Sequence, residues 1–433
     1  MSGNRHIEVT PTNKTSADTI SYKNGNPIIQ FRIGSADMML LGKSIRFCGE
    51  FSVYSDDAKT RGATTQRMSQ KLGVFSTIDQ LIIRNERGQT LEHIRNYNRF
   101  MATYLAATSS REDQNTHLNQ SALTLPNFKA AQRGVVEFPV TDAGKSKQTF
   151  SVHLPCGLFL GDNPIPIAQS QLGGIIVEIV LAPDSNVFFA SADDSTDFST
   201  GFYEFSNVKL LAEGMRIPRD QLASMPATQV FEYNTISSYY STINSANGII
   251  TLNLGEKRVL GAFANVISAS QINNLISDGM STMYPLNNDG SSADVKRLFF
   301  TKGGEKFPLN FDIDTRQSAC GTQQMVDAQI MREGLAAIHN FVDPSRTNAA
   351  VANSQLVAQT SLDLSDKTTP LTGNFFVLGV RYDGVSDQGV DFSTQQWGLQ
   401  TELDLTTDNP QAVYVFIHAK QTLVFSQQGV QVM

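Results

Sequence analysis

Cysteine is scarce in this sequence: Cys48, Cys156 and Cys320 are the only three in 433 residues. They are odd in number, far apart and form no CxxC pair, so they outline neither a disulfide framework nor a zinc site. They read as buried free thiols in a reducing compartment. No apolar run approaches the ~20 residues needed to span a bilayer. The first 26 residues are polar and lack the hydrophobic core of a signal peptide. The sequons Asn13-Lys-Thr15 and Asn119-Gln-Ser121 are therefore read as chance. Charged residues make up 17% of the chain, a low share. Ser, Thr, Asn and Gln fill the gap, as in all-β proteins with long loops and large buried interfaces. The net charge of −7 gives no general attraction for nucleic acid.

Catalytic patterns are missing too. The six histidines are His6, His93, His117, His153, His339 and His418. None forms HExxH or a pair at metal spacing, and each reads as a packed or solvated residue. Gly42-Lys43-Ser44 and Gly144-Lys145-Ser146 mimic the end of a phosphate-binding loop. Asp37 and Pro139 stand where its earlier glycine belongs, and both triplets precede strands rather than helices. Asp193, Asp194 and Asp197, and then Asp383, Asp387 and Asp391, are oxygen-rich. They lack the order of a calcium loop and read as solvated turns. Arg84, Arg87, Arg95 and Arg99, with Arg216 and Arg219 further on, are too scattered for a nucleic-acid surface. They read as solvated faces and inter-subunit salt bridges. No catalytic, cofactor-binding or metal residue is predicted, no small-molecule substrate is implied, and the chain is not expected to be an enzyme.

What the chain has in quantity is strand signal. Phe150-Ser-Val-His-Leu-Pro-Cys-Gly-Leu-Phe-Leu-Gly161 leads into the turn Asn163-Pro-Ile-Pro-Ile167. Then come Leu172-Gly-Gly-Ile-Ile-Val-Glu-Ile-Val-Leu-Ala-Pro183 and Tyr203-Glu-Phe-Ser-Asn-Val-Lys-Leu-Leu211. Each apolar block is short, rich in Val, Ile and Phe, and bounded by Gly, Pro, Asn or Asp, as antiparallel strands joined by turns are. Upstream, residues 1–27 read as a polar arm that orders only against a partner or its own body. Loss of residues 1–20 is expected to leave the oligomer intact and weaken larger assembly. Ile28 to Ile33 and Ser44 to Tyr54 are strands, the second with a bulge expected at Cys48-Gly49. Phe75 to Arg84 is a strand that turns at Asn85-Glu-Arg-Gly88. Leu91 to Ala107 then takes helical spacing. Gly134 to Val140 is a further strand.

The pattern breaks at Glu213 to Arg219 and starts again. Val230 to Ile236, Ile249 to Leu254 and Val259 to Ile267 are strands. Arg297 to Ile313 is a hairpin around Lys302-Gly-Gly304, and Met325 to Phe341 is a second helix. Asn374 to Tyr382, Trp397 to Leu405, Ala412 to His418 and Thr422 to Phe425 complete the strands. Gly174-Ile-Ile-Val-Glu178-Ile-Val-Leu181 can be laid on Gly398-Leu-Gln-Thr-Glu402-Leu-Asp-Leu405, and Asp184 then falls on Asp408. The hairpin-then-helix pattern recurs as well. A duplication follows: an all-β chain of two tandem eight-stranded jelly rolls, each with a short helix in a long loop. Residues 1–27 are the arm, 28–218 the first jelly roll, 219–425 the second and 426–433 a tail.

In block order, Phe150 to Leu211 resembles the end of the first jelly roll in double jelly-roll major capsid proteins of the lineage of polinton-like viruses, virophages and adenovirus. The block order is strand, Gly-rich turn, strand with one buried-looking Glu, loop, then an aromatic-Ser-Asn-Val strand. The resemblance is moderate around Leu81 to Tyr104 and weak in the second half. It implies a structural protein of a DNA virus, located in the virion capsid. Three copies would form a homotrimeric capsomer with a pseudo-hexagonal outline, and many capsomers would tile an icosahedral shell. The implied partners are the chain itself, neighbouring capsomers, penton and other minor capsid proteins, and an internal membrane or the genome on the inner face. A carbohydrate- or receptor-binding β-sandwich of fibre or lectin type is the alternative, for which Trp397 and the pair Tyr239-Tyr240 are the candidate contacts.

Overall fold

The computed structural model describes residues 4–15, 18–25, 27–34, 37–54, 67–68, 72–108, 117–123, 148–168, 172–189, 201–218, 220, 228–269, 272, 295–309, 312–314, 318–320, 323–325, 337, 378–382, 388–403, 410–426 and 429–432. The main strands of the first half are β1 (Asn4–Val9), β2 (Ile28–Ile33), β3 (Met38–Tyr54), β4 (Ile78–Asn85), β5 (Thr90–Arg95), β6 (Gln148–His153), β7 (Ile175–Leu181) and β8 (Phe202–Arg216). Those of the second half are β9 (Gln229–Ile243), β10 (Asn247–Leu252), β11 (Val259–Ser268), β12 (Val295–Lys302), β13 (Glu305–Lys306), β14 (Leu378–Arg381), β15 (Trp397–Leu403) and β16 (Gln411–Ser426). A last strand, β17 (Gly429–Val432), folds back on the end of β16. Helix α1 (Tyr97–Thr108) follows β5.

Both halves repeat one topology. The first has sheets β1-β8-β3-β6 and β2-β7-β4-β5; the second has β9-β16-β11-β14 and β10-β15-β12-β13. Each strand of the second half thus takes the place of the strand eight earlier in the first. The order is that of a jelly roll, two facing sheets closed into a sandwich. One sheet of each roll joins the other through a single parallel pairing, Ser237 opposite His93, so that β2-β7-β4-β5-β9-β16-β11-β14 runs as one sheet through both rolls.

Local sequence explains the elements. β7 alternates apolar and half-exposed positions, with Ile175, Val177, Ile179 and Leu181 facing inward, as one buried face of a strand requires. The β4–β5 hairpin turns at Asn85 to Gly88, where Gly88 has φ of 84°, a conformation glycine takes without a Cβ clash. The register slips at Gly49, but the bulge is in the partner strand: Glu50 faces Ser206 and Cys48 faces Lys209, so two residues of β8 oppose the single Gly49. A Cβ on Gly49 would lie 3.0 Å from Val208 Cγ1 and 3.1 Å from the Ser206 carbonyl. The slip in the sequence at Gly49 therefore marks where the one extra residue of the partner strand fits.

The first core fills the space between the two sheets of the first roll and runs on to β9, β11 and β16 of the second. Phe47 stands 5.0 Å from Phe150 and 5.8 Å from Phe205, and Phe51 is 5.2 Å from Phe205. The second core holds Trp397, Phe300, Tyr382 and Phe392. Burying each such ring stabilises the fold by roughly 1.5–3 kcal/mol.

Four expectations change. Leu91 to Ala107 is not one helix: Thr90–Arg95 is strand β5, and the helix begins at Tyr97. Leu91 and Ile94 carry helical spacing, but the hairpin turn holds residues 90–95 in register with β4. Asn96, at φ of 53°, then breaks the strand. The break expected at Glu213 falls later, since β8 continues to Arg216. The stretch 1–27 contains β1, which pairs along β8 from Asn4 opposite Met215 to Val9 opposite Leu210. Thr12 and Asn13 go on to cover the free edge of β2 through Gln30 and Ile28. Within 426–433, expected as a tail, β17 pairs with β16. Of the second helix, only Ala337 (helical) and Met325 (in a short strand paired with Ser318–Cys320) are described. Gly134 to Val140 and residues 374–377 lie outside the described residues. Among the described residues no helix is long and apolar enough to cross a membrane.

Candidate functional site

Among the described residues, buried polar and aromatic groups gather at the junction of the two rolls. Strand β16 is buried on both faces. Its even positions Ala412, Tyr414 and Phe416 belong to the first core, and its odd positions Val413, Val415, Ile417 and Ala419 to the second. A strand covered on both sides reads as a near-continuous apolar run, and Ala412 to Ile417 is one. On the even side lies α1. Phe100 approaches Phe416 at 5.7 Å and Phe263 at 6.2 Å, and Phe263 stacks on Phe416 at 5.0 Å. Beside this aromatic group the polar atoms are matched. Thr103 Oγ1 donates to Asn265 Oδ1 at 2.8 Å, and Asn265 Nδ2 donates to the Arg99 carbonyl at 3.2 Å. The Arg99 guanidinium lies 5.4 Å from the Tyr414 ring centre, within cation–π range.

Glu92 on β5 fastens the other side. Its carboxylate accepts hydrogen bonds from the backbone N–H groups of Gly157 (2.8 Å), Leu158 (2.9 Å) and Ile236 (2.8 Å). The first two belong to a helical turn of the first roll, Gly157–Leu160, and the third to β9 of the second. That turn presses on β9 so closely that a Cβ on Gly157 would lie 2.4 Å from the Asn234 carbonyl. Glycine is the residue that permits the approach. Tyr233 of β9 reaches back across, its hydroxyl 3.0 Å from the Leu91 carbonyl.

Burial raises the Glu92 pKa to about 7 from 4.5, with the three N–H donors pulling the other way. The folded protein therefore holds this proton more tightly than the unfolded chain. Glu92 contributes stability that is fully present below about 4.5 and is lost as pH rises through about 7. Thermal melts across this window should show that slope in the wild type, and Glu92→Gln should remove its Glu92 component. An unchanged slope in the variant would contradict the assignment.

The residues singled out from the sequence do not converge. His6 lies on exposed β1, 3.6 Å from Glu213. His93 on β5 contacts Gln80 at 2.9 Å. His153 is on β6, His418 is buried on β16, and His117 opens a short helix. His339, Gly144-Lys145-Ser146, Asp193, Asp194, Asp197, Asp383, Asp387 and Arg219 lie outside the described residues. Gly42-Lys43-Ser44 sits inside β3: Lys43 pairs with Asp162, and Ser44 Oγ accepts from the Glu213 N–H at 2.7 Å. Asp391 caps its own turn through Ser393. Arg84 pairs with Glu178, Arg216 pairs with Asp37, and Arg99 is buried. Among the described residues, no three or more His, Cys, Asp or Glu side chains are grouped so as to hold a metal ion. Trp397 is fully buried, its indole N–H donating to the Tyr382 hydroxyl at 2.8 Å. Tyr239 and Tyr240 lie in the last turn-proximal part of β9, which ends at Ile243, and Tyr240 is 53% exposed with its ring 5.2 Å from Tyr414.

Sequence reasoning missed Glu92, Phe100, Phe263 and Phe416 as junction residues. The duplication it did find is real at the level of topology. Glu178 on β7 and Glu402 on β15 hold the same place in their rolls, and each pairs with an arginine of the neighbouring strand, Arg84 on β4 and Arg297 on β12.

Two eight-stranded rolls of one topology, fused through a shared sheet, make this a double jelly-roll protein. Solved structures share the fold over nearly the whole chain. The capsid of the virus PBCV-1 aligns at a TM-score of 0.56 with 11% identity, covering 99% of this chain and 96% of that one. The mavirus major capsid protein aligns at 0.52 and 11%, covering 99% and 90%. The structure of the Sputnik virophage aligns at 0.52 and 11%, covering 100% and 88%. No family model matches the sequence, and no curated protein matches it.

Proposed function

We propose that this chain is a major capsid protein of a DNA virus. It acts by packing rather than by catalysis: three copies form a homotrimeric capsomer of pseudo-hexagonal outline, and capsomers tile an icosahedral virion shell. The observation that carries this reading is the whole-chain match, both rolls and their fusion included, to structures described as a virus capsid and a major capsid protein. The rolls divide between β8 and β9, close to residue 218. Neighbouring capsomers, penton and other minor capsid proteins are the further partners this role calls for, with membrane or genome on the inner face.

The carbohydrate-binding alternative loses its tryptophan. Trp397 is in the core and offers no open face, while Tyr240 remains 53% exposed beside Tyr414. Obligate interfaces of capsomer type commonly bury more than ~2,000 Å², so the trimer should survive dilution. Light scattering on the purified protein should give a mass near three times 47.4 kDa. A stable monomer with no tendency to associate would contradict the proposal.

A further inference from the structure

The repeated topology lets the free edges of the two rolls be compared residue by residue. β2 and β10 are the end strands of equivalent sheets. In the first roll the Leu181 N–H donates to the Pro27 carbonyl at 2.8 Å; in the second the Leu403 N–H donates to the Ala246 carbonyl at 2.7 Å. Hydrogen-bonded pairs alternate along an antiparallel ladder. The N–H and C=O groups of Ile28 and Gln30 therefore point away from β7, and those of Asn247, Ile249 and Thr251 point away from β15. Ile249 stands where Gln30 stands.

The two edges differ in what lies on them. On β2 the Thr12 N–H donates to the Gln30 carbonyl at 2.7 Å, the Gln30 N–H to Asn13 Oδ1 at 3.0 Å, and Asn13 Nδ2 to the Ile28 carbonyl at 2.8 Å. Among the described residues no strand pairs with the corresponding edge of β10. Ile249 is 64% exposed there. Open edges are commonly guarded by charge or proline, as on β1, where His6 is 83% exposed and Glu8 57%. The sequence of β10, Asn247-Gly-Ile-Ile-Thr-Leu252, contains neither.

We infer that β10 is a strand-addition site: its edge at Ile249 takes an extended segment of a separate polypeptide, an uncharged stretch in which an apolar residue precedes Asn. The first roll displays the binding mode, main-chain pairing on a sheet edge. An Asn placed as Asn13 is would bridge the Ile249 N–H and the Asn247 carbonyl, which now accepts from Ser245 Oγ at 2.9 Å and has a second lone pair. The N–H before it would reach the Ile249 carbonyl. On β2, Thr12 Oγ1 donates to Gln30 Oε1 at 3.1 Å, polar against polar. With Ile249 in the place of Gln30, an apolar side chain suits the position of Thr12. The chain's own Thr12 and Asn13 are engaged on β2, and Asn4–Val9 and Gly429–Val432 are paired with β8 and β16. The partner is therefore another polypeptide. The site lies on one chain and does not depend on the capsomer.

Amide hydrogen exchange resolved to single residues of the full-length protein tests this. The probe is a synthetic peptide of residues 9–15 carrying Thr12→Ile. In the protein alone the Ile249 N–H should be several-fold less protected than the Gln30 N–H. Millimolar peptide should slow Ile249 several-fold and leave Gln30 unchanged, and the unsubstituted peptide should act more weakly. Ile249→Gln, at an exposed position, should reverse that preference. An Ile249 N–H already as protected as that of Gln30 would overturn the inference. So would two peptides that leave Ile249 unchanged, or a preference that Ile249→Gln does not reverse. Protection that grows with protein concentration in the absence of peptide would assign the edge to a second copy and overturn the separate partner. A protein that stays monomeric yet meets these expectations would keep the site and refute the capsomer reading.

Discussion

Deletion of residues 1–20 is expected to abolish cooperative folding of the first roll. These residues supply β1, which pairs with β8 over its whole length, and Ile7 and Val9 pack on the first core. Ile20, 1% exposed, exchanges two backbone hydrogen bonds of 2.8 Å with Phe205. Removing it alone forfeits roughly 1.5–3 kcal/mol of burial. The lost strand also strips the edge of β8 of its partner, and an open apolar edge invites aggregation. Set against a domain stability of roughly 5–15 kcal/mol, the sum is large. The truncated protein should be insoluble, or should melt without a cooperative transition by circular dichroism. A truncated protein that melts like the full chain would show that the segment is an arm after all, dispensable for the fold.

Phe416→Ala is expected to cost about 3–5 kcal/mol, the range for removing a phenyl ring from a closed core. Phe416 has no exposed surface and touches both Phe100 of the first roll and Phe263 of the second. The cavity would open between the rolls, where the sheet on one side and α1 on the other limit collapse. Denaturant unfolding should show the midpoint displaced to lower concentration. A loss under about 1 kcal/mol would mean that the junction is not packed as the ring distances indicate, because even Ile→Val changes commonly exceed half of that.

Much of the architecture was legible in the residues, because strands and turns leave local marks. The alternation in Ile175 to Leu181, the glycines at 88, 303 and 304, and the slip at Gly49 each report a condition satisfied within a few residues. The match of Gly174 and Glu178 to Gly398 and Glu402 pointed to strands that prove topologically equivalent. Local reading failed where distant pairing decides. Leu91 and Ile94 have helical spacing but belong to a hairpin arm, because register with β4 outweighs periodicity. Asn4 to Val9 has too few apolar residues to announce a strand, and β8, some two hundred residues away, makes it one. Glu92 shows no mark of its role, since its three donors come from Gly157, Leu158 and Ile236, none of them near it in sequence.

Electron cryomicroscopy of the purified protein, through class averages viewed end-on, tests the proposed capsomer of three chains with two rolls each most directly. Six lobes arranged with three-fold symmetry, alternating between the two kinds of roll, are expected. Particles with two lobes, the dimension of a single chain, would contradict it.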